Sequence, residues 1–303
     1  MPHDDGASGE PAVPEPGWIH RDLAPDIFGA CHAGDAGRLI EILRDSPEAV
    51  HRLNDSRREA PLHYARNSQI AGILLRWGAE IDHRNADGQT ALHFACKNGN
   101  LERAAFLARS GAELRTPDGF GYTAMLRAAY TRGDEGVDIV RLLMGYGVPL
   151  DLNSALVCGL SGPAREILAG GPAAVASAPK PEDLLRDALI RASLDLPDPD
   201  TGPDLFGPVP GALPSAVAGH LELIDALLAR GAPLDGALVA LRTALGLPDA
   251  TLAERLLAAG VPLTGPDHPG RSGRELLDAA DQSACRDEMI ALLGRYGIEE
   301  GKG

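Results

Sequence analysis

The sequence predicts an all-α fold in which helix pairs stack one upon another. The chain has 303 residues with 44% hydrophobic but only 4% aromatic residues, so its core must consist of small and aliphatic side chains. Such a core suits close helix packing better than a β-sandwich. Apolar residues also recur with helical spacing, and several of these apolar runs are followed by a glycine. Recurrence of this kind is typical of repeat proteins, in which each unit buries its apolar face only against its neighbours.

A short segment of the form Gly-Ala/Val-Glu/Pro-Leu/Ile marks the end of each predicted unit. Its glycines are Gly78, Gly111, Gly147, Gly231 and Gly260, separated by 33, 36, 84 and 29 residues, and Gly297 adds a last copy. Each glycine follows an apolar run with helical spacing, such as residues 70, 73, 74 and 77. A glycine in this place predicts a left-handed C-cap, because it has no Cβ to disfavour positive φ. The long step leaves room for a degenerate unit and an insertion.

A recurring tetrapeptide predicts a shorter helix at the start of each unit. Two copies read Ala60-Pro-Leu-His63 and Thr90-Ala-Leu-His93, and Asp87-Gly88 ahead of the second copy is a turn signal. The segment 87–102, DGQTALHFACKNGNLE, together with the close at Gly111, resembles the ankyrin repeat. The segment 211–222, GALPSAVAGHLE, matches the same template.

Other units match the ankyrin template less closely. The copy at 60–65 is shorter at the turn between its helices, the copy at 123–129 has Leu126 in place of histidine, and Ser154-Ala-Leu-Val157 fits poorly. Further copies are predicted at 26–35, 237–263 and 272–297. The resemblance implies an α-solenoid of about eight repeats with projecting β-turn fingers and a concave binding face. We expect one solenoid domain over residues 21–299, a disordered acidic tail over 1–20 and an Asp/Pro-rich loop insertion over 195–211.

The formal net charge of −15 restricts the classes of partner. It argues against binding to duplex nucleic acid or to anionic membranes, since both require a basic surface, and it permits a basic protein partner. The sequence has no apolar run of 18 residues, no signal-peptide pattern at its start and no CxxC pair among its four cysteines. We therefore predict a cytoplasmic monomer.

The recurring histidines, His63 and His93, invite a catalytic or metal-binding interpretation. Catalysis would need a nucleophile or second base nearby, and no HExxH, GxSxG or Cys/His pair accompanies either residue. A metal site would need three or four ligands, and later copies have Leu126, Val157 and Pro214 in place of histidine. The resemblance implies instead that these histidines lock the turn and the neighbouring unit. We predict no catalytic residue, no metal and no cofactor.

Candidate partner-binding residues come from the first helices and the fingers. In the ankyrin template the residue after the tetrapeptide points toward the concave face. Tyr, Phe and Arg are enriched at interface cores. The predicted binding residues are Tyr64, Phe94, Lys97, Phe120, Tyr122, Arg127 and Tyr130. An alternative for Phe120 and Tyr122 is that they only pack the finger between units.

Two further features have a structural and a functional interpretation. Cys31, Cys96 and Cys158 fall where the family places small packed residues, and nothing in the sequence supports reactive thiols. In the loop, Asp198, Asp200 and Gly202 bear only a faint resemblance to a calcium loop, and the twelfth position is Val209 instead of glutamate. The loop is therefore expected to be an extended connection or a partner contact.

The sequence thus favours a non-enzymatic protein-binding scaffold. One alternative is an immunity or inhibitor protein that neutralises a basic toxin or nuclease. Another is an enzyme with its site in the degenerate region 153–211, where the sequence contains no nucleophile–base set and no glycine loop able to hold a phosphate.

Overall fold

A computed structural model describes residues 26–131, 134–188, 222–234, 237–245, 250–263, 272–281, 283 and 285–298. Across these ranges the regular secondary structure is helical and no β-strand occurs, which confirms the all-α prediction. The predicted tail 1–20 and the predicted loop 195–211 lie outside the described residues and stay predictions.

The helices follow one another in short pairs. The first ten α-helices are α1 Ile27–Ala33, α2 Ala36–Asp45, α3 Ser68–Arg76, α4 Ala91–Lys97, α5 Leu101–Arg109, α6 Ala124–Ala129, α7 Asp134–Gly145, α8 Leu152–Val157, α9 Ser161–Leu168 and α10 Pro172–Ala176. Three 3-10 helices span Pro47–His51, Pro61–Tyr64 and Pro181–Asp183. The remaining α-helices are α11, described over 184–188, α12, described over 222–229, α13 Ala237–Leu245, α14 Thr251–Ala258, α15 Ser272–Asp281 and α16 Arg286–Arg295.

Pairs of consecutive helices stack into two layers. The first helices form one layer, in which α4 contacts both the 3-10 helix Pro61–Tyr64 and α6, and α6 contacts α8. The second helices form the other layer, in which α3 contacts α5 and α5 contacts α7. Within the described residues, α13 with α14 and α15 with α16 repeat the same pairing. This arrangement is the predicted ankyrin-type solenoid.

The glycines predicted to end the second helices have the predicted conformation. Their φ angles lie between 77° and 93° at Gly78, Gly111, Gly147, Gly231, Gly260 and Gly297. At each of them the next amide bonds back to a carbonyl in the last helical turn, as in Ala79 N to Leu74 O at 3.0 Å and Ala112 N to Leu107 O at 3.1 Å. A Cβ added at any of the six would meet nothing within 4 Å. Glycine is therefore favoured there by the positive φ alone.

The core consists of aliphatic and small side chains, as the composition predicts. Two groups of buried residues, 27–158 and 152–293, are joined because Leu150 and Leu160 pack against both. Cys31, Cys96 and Cys158 are buried, which confirms their interpretation as small packed residues. Burial raises the pKa of the Cys31 and Cys96 thiols to about 12, so the reactive thiolate is strongly disfavoured at neutral pH.

The fifth unit has a different register from the one that the sequence suggested. Its first helix, α8, is capped by Asp151, whose carboxylate accepts from the Ser154 amide at 2.8 Å. Thr123 caps α6 in the same way, accepting from the Leu126 amide at 3.1 Å. Ser154, three residues after its cap, is therefore the counterpart of His93, and the assignment of Val157 to that position was wrong. Aspartate and serine are both good caps, so a pattern of caps and apolar residues could not separate the two registers.

Candidate partner-binding surface

The fingers between units are held by side chains at equivalent positions. Oδ1 of Asn85 accepts from the amides of Asp87 and Gln89 at 3.0 and 2.8 Å. One unit later, Oδ1 of Asp118 accepts from the amides of Phe120 and Tyr122 at 2.9 and 3.0 Å. These are Asx-type turns, in which a short polar side chain replaces a backbone acceptor. The Gly119 amide also donates to the Asp87 carbonyl at 2.8 Å, which ties neighbouring fingers together.

The two recurring histidines make bonds within and between units. Nδ1 of His63 accepts from the Ala60 amide at 3.2 Å, and its Nε2 donates to the Gln89 carbonyl of the next unit at 3.0 Å. Nδ1 of His93 accepts from the Thr90 amide and hydroxyl at 3.2 and 2.9 Å. The Tyr122 carbonyl of the next unit lies near His93 as the Gln89 carbonyl lies near His63. However, the buried Nε2 of His93 makes no hydrogen bond of good geometry to a described residue. Burial lowers the pKa of both imidazoles.

Tyr64, Phe94 and Arg127 occupy one position in three consecutive units, four residues after each cap. The Tyr64 hydroxyl donates to Oε2 of Glu59 at 2.5 Å and accepts from Nδ2 of Asn54 at 2.8 Å. The Phe94 ring meets the His63 ring edge-on, with centroids 5.2 Å apart. Phe94 is therefore held by ring packing alone, whereas the polar end of Tyr64 is bonded to the finger of its own unit.

Arg127 is an internal partner of the finger in its own unit. Its Nε and Nη2 donate to Oδ2 of Asp118 at 2.9 and 2.5 Å. The Asp118 side chain is fully buried, and the Arg127 side chain is 18% exposed. The hydrogen bonds from Arg127 and the finger amides hold the pKa of Asp118 below its usual range, against the effect of burial. The guanidinium also lies over the Tyr122 ring, 4.2 Å from its centroid.

A segment far along the chain occupies part of the predicted binding surface. The Tyr130 hydroxyl donates to Oδ1 of the fully buried Asp187 at 2.6 Å and accepts from Nη2 of Arg186 at 2.7 Å. The ammonium of Lys180 lies 5.2 Å from the Tyr122 ring centroid and donates to the Phe120 carbonyl at 3.3 Å. This segment, which the sequence analysis missed, gives Tyr122 and Tyr130 partners within the chain.

The seven predicted binding residues therefore fall into three groups. Tyr122, Arg127 and Tyr130 are half-buried and bonded or stacked against other parts of the chain. Phe120, which is 57% exposed at the tip of its finger, and Lys97, which is exposed at the end of α4, keep their side chains in solvent. Tyr64 and Phe94 are half-buried and lie beside an open hollow.

This hollow has a volume of about 520 Å³. It is lined by His32, His63, Tyr64, Arg66, Phe94, Asn98, Asn100 and Arg103. Of these, the sequence predicted Tyr64 and Phe94 as binding residues, whereas it did not single out His32, Arg66, Asn100 or Arg103. The shortened turn of the 60–65 copy was the signal that could have located them.

Comparison with known proteins agrees with the geometry. A family profile described as "Ankyrin repeats" matches residues 62–154 as three copies. Residues 62–154 of this chain therefore consist of ankyrin repeats. The matched residues include both recurring histidines and the cap of α8.

Relatives of this ankyrin-repeat chain match it over part of its length. The "Probable E3 ubiquitin-protein ligase XBOS33" of Oryza sativa subsp. japonica is 33% identical over 127 residues, which is 41% of this chain and 24% of that protein. A "Putative ankyrin repeat protein" of Rickettsia felis is 32% identical over 103 residues, covering 34% of this chain and 32% of that protein. "Protein fem-1 homolog A-like" of Mus musculus is 38% identical over 68 residues, covering 22% and 10%. The chain thus spans a third or less of the length of these relatives.

Two further observations concern only the described part of the ankyrin-repeat chain. No helix there combines the length and the apolar character that crossing a bilayer requires. No three His, Cys, Asp or Glu side chains in that part lie close enough together to hold a metal ion.

Proposed function

We propose that this ankyrin-repeat chain is a non-enzymatic scaffold that holds a partner protein against the first helices and fingers of its second to fourth repeats. The observation that carries the proposal is that Tyr64 and Phe94, from adjacent repeats, line one hollow of about 520 Å³. A cavity with two aromatic rings and several polar groups is the usual form of a binding site. Lys97 and Phe120 extend the surface beyond the hollow with exposed side chains.

The surface is held rigidly before any partner arrives. The Tyr64 hydroxyl is held by accepting a hydrogen bond from Asn54 and donating one to Glu59, and the ion pair with Asp118 holds Arg127. Side chains that are already ordered lose little conformational entropy on binding, so more of the contact free energy appears as affinity. This rigidity supports a binding role in which the surface changes little on complex formation.

Affinity purification with the full chain, followed by mass spectrometry, would supply the partner for a direct test. Replacing Tyr64, Phe94 and Arg127 together by alanine should weaken the purified partner's binding at least 100-fold, since hot-spot residues carry about 2 kcal/mol or more each. Because loss of Arg127 leaves Asp118 buried without its ion pair, circular dichroism must show unchanged helicity.

A second variant avoids that complication. Phe94→Ala with Phe120→Ala removes two rings and no buried hydrogen bond, and it should weaken binding at least tenfold. Tyr146→Ala is the matched control, because Tyr146 is 41% exposed just after α7 in the other layer of the solenoid. Unchanged affinity in the Phe94/Phe120 variant and in the folded triple variant would overturn the proposed surface.

The net charge of −15 favours one specific alternative, an immunity or inhibitor protein that neutralises a basic toxin or nuclease. Long-range attraction between such partners accelerates their encounter and weakens steeply as salt is added. A stopped-flow association rate that falls at least tenfold between low and physiological ionic strength would support this alternative. A rate that does not change with salt would contradict it.

The proposal includes a monomer in the cytoplasm that binds no nucleic acid and uses no cofactor. The acidic net charge supports the point about nucleic acid, and the free thiols of Cys31 and Cys96 support a reducing compartment. The stretches shared with the curated relatives cover a third or less of each of those proteins, so an activity in a relative's name carries no weight for this chain.

A further inference from the structure

The second repeat is shorter than the third by nearly one helical turn. Asn67 and Asn100 cap the second helices alike, accepting from the amides of Ile70 and Arg103 at 2.9 and 3.0 Å. The cap of the first helix lies seven residues before Asn67 but ten residues before Asn100. In the third repeat this length forms the α-helix Ala91–Lys97, whereas the second repeat has only the 3-10 helix Pro61–Tyr64. Three residues are close to the 3.6 of one α-helical turn.

The hollow lies where the missing turn would stand. One side is His32, from the end of α1 in the first repeat, and the other is Asn98, directly after α4 in the third repeat. Arg66, in the shortened connection, closes the gap between them. Its amide donates to the Cys31 carbonyl at 3.2 Å, and its carbonyl accepts from Nδ2 of Asn100 at 3.0 Å. The deletion therefore leaves an open hollow whose sides are joined by hydrogen bonds.

Arg103 is a buried cation at this hollow that forms no ion pair with a described carboxylate. Its side chain lines the hollow although the residue is only 4% exposed. Nη1 donates to the Ala65 carbonyl, while the buried Nε and Nη2 have no hydrogen-bond partner among the described residues. Burial lowers the pKa of Arg103 to about 10, so the guanidinium stays charged at neutral pH. An unpaired buried charge is costly, and the cost falls when an anion approaches.

The lining of the hollow is positive in a chain that is negative overall. Its titratable residues are His32, His63, Arg66 and Arg103, and no acidic side chain is among them. Glu102, next to Arg103 on α5, is bonded to the Ser68 hydroxyl instead. The lining also offers the amide groups of Asn98 and Asn100 and the rings of Tyr64 and Phe94. It therefore combines a cation, hydrogen-bond donors and apolar surface.

We propose that the hollow binds a carboxylate of the partner protein, an Asp or Glu side chain or a chain terminus, with Arg103 as its buried countercharge. The inference rests on the proposed scaffold function and names the chemistry of its central contact. A guanidinium pairs equally well with phosphate, but the rings of Tyr64 and Phe94 favour a peptide, because the methylene and backbone groups of an acidic residue pack on them. A volume of about 520 Å³ lies in the range of ligand cavities and holds such a residue with its neighbours.

The first test needs neither the partner nor a variant. Glutamate blocked as the N-acetyl amide, the equally blocked glutamine and inorganic phosphate are each titrated into the full chain, and NMR follows the Tyr64, Phe94 and His63 ring signals. Blocked glutamate should shift these signals saturably and bind at least tenfold more tightly than blocked glutamine, as expected for hydrogen bonds to a charged group. Equal binding of the two amino acids would overturn the proposal, as would tighter binding of phosphate than of blocked glutamate.

Two variants then locate the contact. Arg103→Met keeps a long side chain without the charge and should weaken the binding of blocked glutamate at least tenfold. Arg109→Met is the matched control on the exposed end of the same helix. Replacing Arg66 by Cys-Lys-Asn-Gly, the sequence at 96–99 of the third repeat, keeps Arg103 but restores the missing turn and should abolish binding. If the probe binds both folded variants as well as the unaltered chain, the hollow is not its site.

The same variants separate this inference from the scaffold function. If Arg103→Met leaves partner affinity unchanged while Phe94→Ala with Phe120→Ala lowers it, the scaffold stands and the carboxylate contact is wrong. If Arg103→Met lowers the affinity for the partner at least tenfold, the carboxylate contact is supported together with the scaffold function.

Discussion

The second and third repeats share their signals and differ in length. Both have the histidine of the tetrapeptide, an asparagine that caps the second helix and a glycine with positive φ that ends it. Only the third has a full first α-helix, and the three residues missing from the second leave the hollow. The comparison teaches that the elements these two repeats share build the stack, whereas a departure from the repeat length creates the candidate site.

The largest effect is expected from truncating the leucine of each tetrapeptide. Leu62 and Leu92 are both 1% exposed, so Leu62→Ala and Leu92→Ala should each lower the free energy of unfolding by about 2–5 kcal/mol. The loss should be larger for Leu92, because the complete helices around it have less room to collapse into the cavity than the chain beside the hollow. Urea denaturation measures both values. A larger loss at Leu62 would mean that the short repeat is the more tightly packed of the two.

A paired and an unpaired arginine should respond differently to loss of charge. Arg127→Met breaks the ion pair with the buried Asp118 and should cost about 3 kcal/mol. Arg103→Met removes a buried cation that has no ion-pair partner among the described residues, and it also removes the hydrogen bond to the Ala65 carbonyl. Because relief from burying the charge offsets the lost hydrogen bond, the free energy of unfolding should change by no more than about 1 kcal/mol. Thermal and urea unfolding of the two variants would show the contrast. A loss above about 3 kcal/mol in Arg103→Met would assign Arg103 a purely structural role.

The histidines offer a smaller contrast between the same two repeats. His63→Ala removes a hydrogen bond to the next repeat, whereas the corresponding contact of His93 with the Tyr122 carbonyl lacks good hydrogen-bond geometry. Both variants lose the bonds to the cap and leave a similar cavity, so His63→Ala should cost about 1 kcal/mol more than His93→Ala. Equal losses in urea unfolding would show that the bond from His63 to Gln89 adds nothing to the stacking.

The last effect concerns the dependence of stability on pH. Burial, the largest cause, lowers the pKa of His63 in the folded chain. As the pH falls, the unfolded chain therefore binds a proton at this histidine before the folded chain does. The stability from the neutral imidazole is fully present above about pH 6.5 and is lost as the pH falls toward the folded pKa, by up to about 1.4 kcal/mol per pH unit. His63→Gln and His93→Gln should each flatten this loss.

The pKa shift of Asp187 changes stability with pH in the opposite direction. Asp187 must therefore be retained in every variant that is compared. Burial raises its pKa to about 6, so its contribution to stability is present below about pH 4 and is lost as the pH rises through about 6. Since neither histidine variant touches Asp187, its contribution cancels in the difference from the unaltered chain. Unfolding curves between pH 5 and 8 would test the prediction, and parallel curves for all three proteins would contradict it.

Much of the fold could be predicted because its signals are local. A glycine after an apolar run, such as Gly111, indicates a left-handed cap whatever surrounds it, and the structure confirms this. The register of α8 was mistaken because Asp151 and Ser154 are both plausible caps, and only packing selects between them. Local chemistry therefore predicts where helices end better than it predicts which of two caps begins one.

The candidate site was predicted in part. Tyr64 and Phe94 were chosen from their place after the tetrapeptide, and both line the hollow. The partners of Tyr130 could not be found in this way, because Tyr130 and Asp187 lie 57 residues apart in a region where the repeat pattern is weak. Arg103 looked like an ordinary helix residue, and what sets it apart is its burial without an ion pair to any described carboxylate.

The sequence by itself determined the helical class, the repeat and the ends of the helices, because these depend on spacing and on the φ angle of single residues. The tertiary structure decided which partners the predicted binding side chains have within the chain. Arg127 and Tyr130 are bonded inside the chain, and the guanidinium of Arg103 is left beside an open hollow. The physical reason is that hydrogen-bond partners and buried charges depend on distances between residues far apart in the chain, and these distances exist only once the repeats have stacked.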